Sequence, residues 1–253
     1  MTINRPLVLI GAVVCAGVLG AGCGQQPQGT ASDGTPAPGR TAPPPRSAHP
    51  APPGSSVRAV PGLGPVMRAR VPAAARQALV VRGTAEDTAR AVAVLYERSP
   101  SHGWRVVAGP WPAHNGLRGW SDDHRAGDLR TPIGVFGLSD AGGRLPDPGT
   151  RLAYDHDPEF SVSGTGHLGE PLEGAFDYVV AVDYNRVPGT TPLDTTRPLG
   201  EDKGGGVWVH VDHDGPTNAC ISLHKDHMRS LLRALDPDKR PVVVMGPERA
   251  LTM

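Results

Sequence analysis

GVWVHVDHDGPTNACISL, Gly206 to Leu223, is the stretch on which the reading of this chain turns. Its first part alternates. Val207, Val209 and Val211 point one way from a strand predicted over 206–212, and Trp208, His210 and Asp212 point the other. A turn composition follows at Asp214-Gly215-Pro216, and the chain then reaches Cys220. A thiol is mostly protonated at neutral pH and needs a base before it can act as a nucleophile. His210 is the candidate base, facing out of the predicted sheet near the strand end, with a loop that can fold back and bring Cys220 beside it. The backbone N–H groups of Ala219 and Cys220 are the candidate oxyanion donors. Asp212 shares a face with His210 and is a candidate to orient the imidazole, next to the plainer reading of a solvated strand-end carboxylate. A metal site is the rival, because His210, His213, Cys220, His224 and His227 lie close in sequence and zinc accepts such ligands. His210 and His213 fall on opposite faces if the strand continues, and His224 and His227 open a helix, so no metal is expected.

Working outward, ALVVR (78–82), WRVVAG (104–109), TPIGVFGL (131–138), FDYVVAVDY (176–184) and PVVVM (241–245) read as strands or contain one. Thr84 with Asp87 resembles a capping box, and Ala85, Ala89, Val92 and Tyr96 recur at helical spacing, which predicts a helix from 84. After Cys220, ISL leads into a second helix around KDHMRSLLRAL, with Met228, Leu231, Leu232 and Leu235 as its buried stripe and Asp236-Pro237 as its stop. Strands do not alternate regularly with helices, so a doubly wound sheet is excluded in favour of a mainly β, sandwich-like domain with peripheral helices over 64–253.

The remaining sequence is of another kind. Twenty-five basic and 25 acidic residues cancel, which gives no sign of a nucleic-acid partner. Residues 1–23 read as a signal peptide: Arg5, then the apolar run LVLIGAVVCAGVLGAG, then Cys23. VLGAGC resembles a bacterial lipoprotein cleavage site with Cys23 as the lipidated residue, which would put a lipid in the membrane and the folded part outside the cytoplasm. Plain secretion and a retained membrane segment are the alternatives. Residues 24–63 form a Pro/Gly-rich tether, including TPAPGRTAPPPRSAHPAPPGSS, with no apolar periodicity. Loss of Cys15 with the leader and acylation of Cys23 would leave Cys220 as the single free thiol.

The spaced motifs together resemble the L,D-transpeptidase catalytic-domain family. The matching residues are His210, Gly215 and Thr217-Asn218-Ala219-Cys220-Ile221-Ser222-Leu223, with RTPIGVF (Arg130 to Phe136), VAVDYN (Val180 to Asn185) and MRSLLRALDP (Met228 to Pro237) in the same order. The likeness runs from about Ala78 to Gly246. It departs at Ala219, where the family has Gly, and at Ser222, where many members have Arg. The resemblance implies an enzyme that attacks peptidoglycan stem peptides through a Cys220 thioester and forms 3→3 cross-links, without metal or organic cofactor. Trimming of tetrapeptide stems, an L,D-carboxypeptidase activity, and non-catalytic wall binding are the alternatives. Thr217, Asn218, Tyr184, Asn185 and Arg130 become candidate cleft or orienting residues. Trp208, His114, Asn115 and Asp128 are weaker candidates of the same kind.

Overall fold

The computed structural model describes residues 59–253. The leader, Cys23 and the tether as far as residue 58 lie outside the described residues. Val60 and Leu63 are already buried, so packing begins slightly before the expected boundary at 64. No helix among the described residues is long and apolar enough to cross a membrane.

Twelve strands and three α-helices are formed by the described residues. The strands are β1 (Gln77–Gly83), β2 (Arg90–Ser99), β3 (Gly103–His114), β4 (Trp120–Ser121), β5 (Thr131–Pro132), β6 (Gly134–Gly137), β7 (Asp140–Gly143), β8 (Ala153–His156), β9 (Val179–Ala181), β10 (Trp208–Val211), β11 (Ile221–Leu223) and β12 (Val242–Pro247). Ten of them make one mixed sheet in the order β6-β12-β1-β2-β3-β11-β10-β9-β7-β8, and β4 pairs with β5 separately. The pairs β1–β12, β10–β11 and β7–β8 are parallel and the other pairs of the large sheet are antiparallel.

β1 shows why the sheet has two covered faces. Leu79 and Val81 enter one core, and Ala78 and Val80 enter another, as the strand period of two requires. Leu79 and Val243 share their core with Val180 and Val209, which lie far away in the strand order. The sheet therefore curls on itself. The mainly β expectation holds, but the two layers come from one continuous sheet rather than two separate ones.

α2 (Lys225–Ala234) lays Met228, Leu231 and Leu232 into the same core, with fully buried Leu235 at its C-cap. His224 caps its start by accepting from the Asp226 N–H. Two short helices escaped the pattern reading, α1 (Pro65–Arg70) and α3 (Glu248–Thr252). They are tied end to end by Gly64 N–H to Leu251 carbonyl and Val66 N–H to Met253 carbonyl.

The helix expected from Thr84 is absent. Residues 90–99 are β2, antiparallel to β1. Alanine fits both periods, so Ala85, Ala89, Val92 and Tyr96 imitated a helical face. The pattern that burial selects is Ala91, Ala93 and Leu95, spaced by two, while Val92 is 38% exposed. Pairing on both sides with β1 and β3 outweighs local propensity. The strand expected over 176–184 is also shorter, and covers Val179–Ala181.

Strand phasing in β2 makes a direct prediction. Leu95→Ala should lower unfolding free energy by about 2–5 kcal/mol, and Val92→Ala by less than about 1 kcal/mol, measured by urea denaturation. A helical 84–96 would reverse that order.

Candidate active site

β10 and β11 lie side by side and parallel, with Val209 opposite Ile221 and His210 opposite Ser222. The linking segment 212–220 therefore arches over the sheet end and returns Cys220 to the neighbourhood of Trp208 and His210. His210 and Cys220 line one cavity of about 260 Å³, together with Phe176, His213, Thr217 and Asn218.

His210 is 3% exposed rather than solvent-facing. Its Nδ1 lies 2.8 Å from the Val211 carbonyl, which can only accept, so Nδ1 carries the proton and Nε2 keeps its lone pair. Phe176 packs edge-on against the ring at 5.4 Å, and His213 stacks on it at 5.8 Å. Burial pushes the imidazole pKa down to about 4, so it is a neutral base at pH 7.

Cys220 is half-buried. Its sulfur accepts the Trp208 N–H at 3.3 Å and donates to the Gly206 carbonyl at 3.6 Å, and neither hydrogen bond goes to His210. Burial pushes the thiol up to about 11 against the opposing pull of the Trp208 N–H. The resting pair is thus thiol and neutral imidazole, not thiolate and imidazolium.

The approach to Cys220 is fixed from below. Buried Thr217 donates its hydroxyl to the Cys220 carbonyl at 2.7 Å, and its N–H meets the Asn115 carbonyl. Thr131 binds the Gly116 N–H and reaches the same Cys220 carbonyl at 3.5 Å. Ala219 is not among the residues of positive φ, so its methyl meets no backbone penalty, and it packs on the main core. The N–H groups of Ala219 and Cys220, outside any strand or helix, have no protein acceptor among the described residues. Both remain free to donate, and of the two residues Cys220 lines the cavity.

Asp212 does not orient His210. Its Oδ1 accepts from His114 Nδ1 at 2.9 Å and from the buried Ser222 hydroxyl, which joins β3, β10 and β11 at the base of the loop. Burial pushes this carboxyl up, but the bonds from His114 and Ser222 outweigh it and hold it down to about 2. His114 rises in turn, chiefly through the same hydrogen bond. Ser222, where the family often has Arg, is part of this clamp.

Other candidates lie elsewhere. Arg130 pairs with Asp87 and with the Trp120 carbonyl, and it is no part of the cavity. Asp128 caps the 125–130 turn through the N–H groups of Arg125 and Arg130. Asn115 is fully buried and donates to the Thr88 carbonyl. Tyr184 and Asn185 bind the backbone of the 199–204 loop instead of lining the cavity. His227 stacks on Trp111 and His224 caps α2, so the five-residue zinc set is not assembled. Among the described residues no cluster of three ligating side chains is found.

Sequence reading missed His167, Glu170 and Phe176. Asn218 is exposed, and its Oδ1 meets His167 Nε2 at 3.0 Å. His213 Nδ1 meets Glu170 at 3.2 Å, and the Glu170 carboxylate fills the space that a side chain at Gly215 would need. The available signal was His167 and Glu170 set among the glycines at 164, 166, 169 and 174.

No protein-family model matches the chain, and no curated protein sequence matches it.

Two measurements follow from these protonation states. Alkylation of Cys220 should keep accelerating with pH beyond 9, following a thiol that titrates near 11. A plateau reached below pH 7 would reveal an ion pair instead. His210 should bind a proton between about pH 6.5 and 4 only after unfolding, so stability conferred by the neutral ring is lost as pH falls through that interval. Chemical denaturation should show a steeper loss there for the wild type than for His210→Gln, and equal slopes would contradict a depressed His210.

Proposed function

We propose that this chain is a cysteine acyltransferase of the L,D-transpeptidase kind, acting on peptidoglycan stem peptides. The observation that carries the reading is the placement of Cys220 and a neutral His210 in one cavity, with the N–H groups of Ala219 and Cys220 free of protein acceptors. The ordered motifs around both residues supply the substrate class by resemblance.

In this scheme the thiol proton turns from the Gly206 carbonyl to His210 Nε2 as sulfur attacks the carbonyl of the third, diamino-acid residue of a tetrapeptide stem. The N–H groups of Ala219 and Cys220 hold the oxyanion that forms. His210 returns the proton to the departing D-Ala amine, and a Cys220 thioester remains. The side-chain amine of a second stem then attacks the thioester, its proton passes to His210 and on to the sulfur, and a 3→3 cross-link leaves. Water in place of the amine gives the trimmed tripeptide. A high resting thiol pKa suits this order of events, because the proton moves only when the electrophile is in place. The leader pattern of residues 1–23 supports a reaction outside the cytoplasmic membrane, with a lipid on Cys23 as the proposed anchor.

Intact-mass analysis tests the reading. Protein and a Cys220→Ala variant are mixed with a carbapenem and, separately, with a disaccharide-tetrapeptide. The expected result is an acyl adduct on the wild type alone, with D-Ala released. A dimeric product identifies transpeptidation, and tripeptide alone identifies hydrolysis. Folded wild type that forms no adduct with either reagent would shift the assignment to a wall-binding domain.

A further inference from the structure

We propose that Tyr184 and Asn185 are positioning residues for Cys220, acting through the loop that delivers both hydrogen-bond partners of its sulfur. The proposal deepens the acyltransferase reading and rests on it for its role in turnover. The positioning itself is read on the thiol.

The loop in question leaves residue 199 and enters β10. Its last part, Gly204, Gly205 and Gly206, takes φ values of 65°, 155° and 63°. Consecutive glycines in such conformations lose much backbone freedom on ordering, so this path needs outside contacts to hold it. Ala126 N–H binds the Asp202 carbonyl and Asp123 pairs with Lys203, but four contacts to the loop backbone come from one pair of neighbouring residues. Asn185 donates from Nδ2 to the carbonyls of Gly200 at 2.9 Å and Gly204 at 2.6 Å, and its Oδ1 accepts the Leu199 N–H at 2.6 Å. Tyr184 donates its hydroxyl to the Lys203 carbonyl at 2.8 Å. All four loop groups are backbone atoms, so the pair fixes the path of the chain. Arg197 braces the far side, with its guanidinium in the space a side chain at Gly205 would occupy.

The geometry of Asn185 is built for this. Its φ is 46°, a left-handed conformation that asparagine tolerates better than most residues, and its side chain is buried. It lies just past β9, which pairs with β10, and Val182 N–H continues the pairing to the Val207 carbonyl. Residues 182–185 and 199–207 are thus two sides of one device. At its end stand the Gly206 carbonyl and the Trp208 N–H, the two groups bonded to the Cys220 sulfur. Trp208 is held by its pairing with Ala181, so a shift of about 1 Å in the loop would chiefly take the Gly206 carbonyl away from the sulfur and open the thiol to solvent. Neither Tyr184 nor Asn185 lines the cavity, so they touch no reacting atom.

The test uses the full chain with Tyr184→Phe, Asn185→Asp and Asn185→Ala. Asn185→Asp keeps the acceptor for Leu199 and the tolerance of positive φ but loses both donors. Two rates are compared in samples of matching near-ultraviolet circular dichroism: alkylation of Cys220 by iodoacetamide across pH, and acylation by the disaccharide-tetrapeptide. Loosening the loop should move them in opposite directions. Asn185→Ala and Asn185→Asp should be alkylated ~10-fold faster at pH 8 and acylated ~10-fold more slowly in kcat, and Tyr184→Phe should show the same directions at ~3-fold. Folded variants whose alkylation profiles coincide with the wild type would overturn the proposal. If the Asn185 variants do not fold, Tyr184→Phe decides alone. If the wild type is not acylated at all, the acyltransferase reading fails, while the alkylation comparison still decides whether the pair positions the thiol.

Discussion

The parallel pairing of β10 with β11 is the constraint from which the site follows. Parallel neighbours ordinarily need a crossover of about a dozen residues or more, commonly a helix. Here the connection is the shorter segment 212–220, which has no room for a helix and must turn back over the end of the sheet. Such a turn exposes backbone groups that would be costly to bury unpaired. Among the described residues the N–H groups of Asp212, Asp214 and Thr217 find acceptors, and those of His213, Gly215, Asn218, Ala219 and Cys220 do not.

The ties are distributed by element. Thr217 and Thr131 hold the Cys220 carbonyl from the side of β5, and the Asp212 carboxylate gathers His114 and Ser222 where β3, β10 and β11 meet. Gly206 and Trp208 approach the sulfur from the entry of β10. His210 is held apart from these by Val211, Phe176 and His213. Each partner of the reaction thus has its own support, so a disturbance of the Asp212 clamp reaches the loop base before it reaches the imidazole.

Local patterns were legible where one period dominated. The run of valines in β12, the alternation of β10 and the apolar stripe of α2 each admit a single reading, and each formed as expected. β2 misled because alanine serves a helix and a strand equally, and the deciding contacts with β1 and β3 are not local. The continuous curled sheet was illegible for the same reason, since strand order depends on pairs distant in sequence. Residue type and spacing pointed to His210 and Cys220 as neighbours, and the two line one cavity. The partner of Asp212 was not, because His114 comes from another strand. Asn185 stood out by its surroundings in the sequence, but its bonds to Leu199, Gly200 and Gly204 could only be seen once the loop was folded.

The high proton affinity of Cys220 also has a meaning in time. Peroxide and disulfide reagents attack the thiolate, and with a thiol near 11 only roughly one molecule in ten thousand carries that form at neutral pH. Cys220 is the only cysteine among the described residues, so no resolving partner there can trap an early oxidation product as an internal disulfide. Oxidation once begun would proceed toward the irreversible sulfinic stage. A small thiolate fraction is therefore what shields this sulfur, which has no second thiol beside it among the described residues.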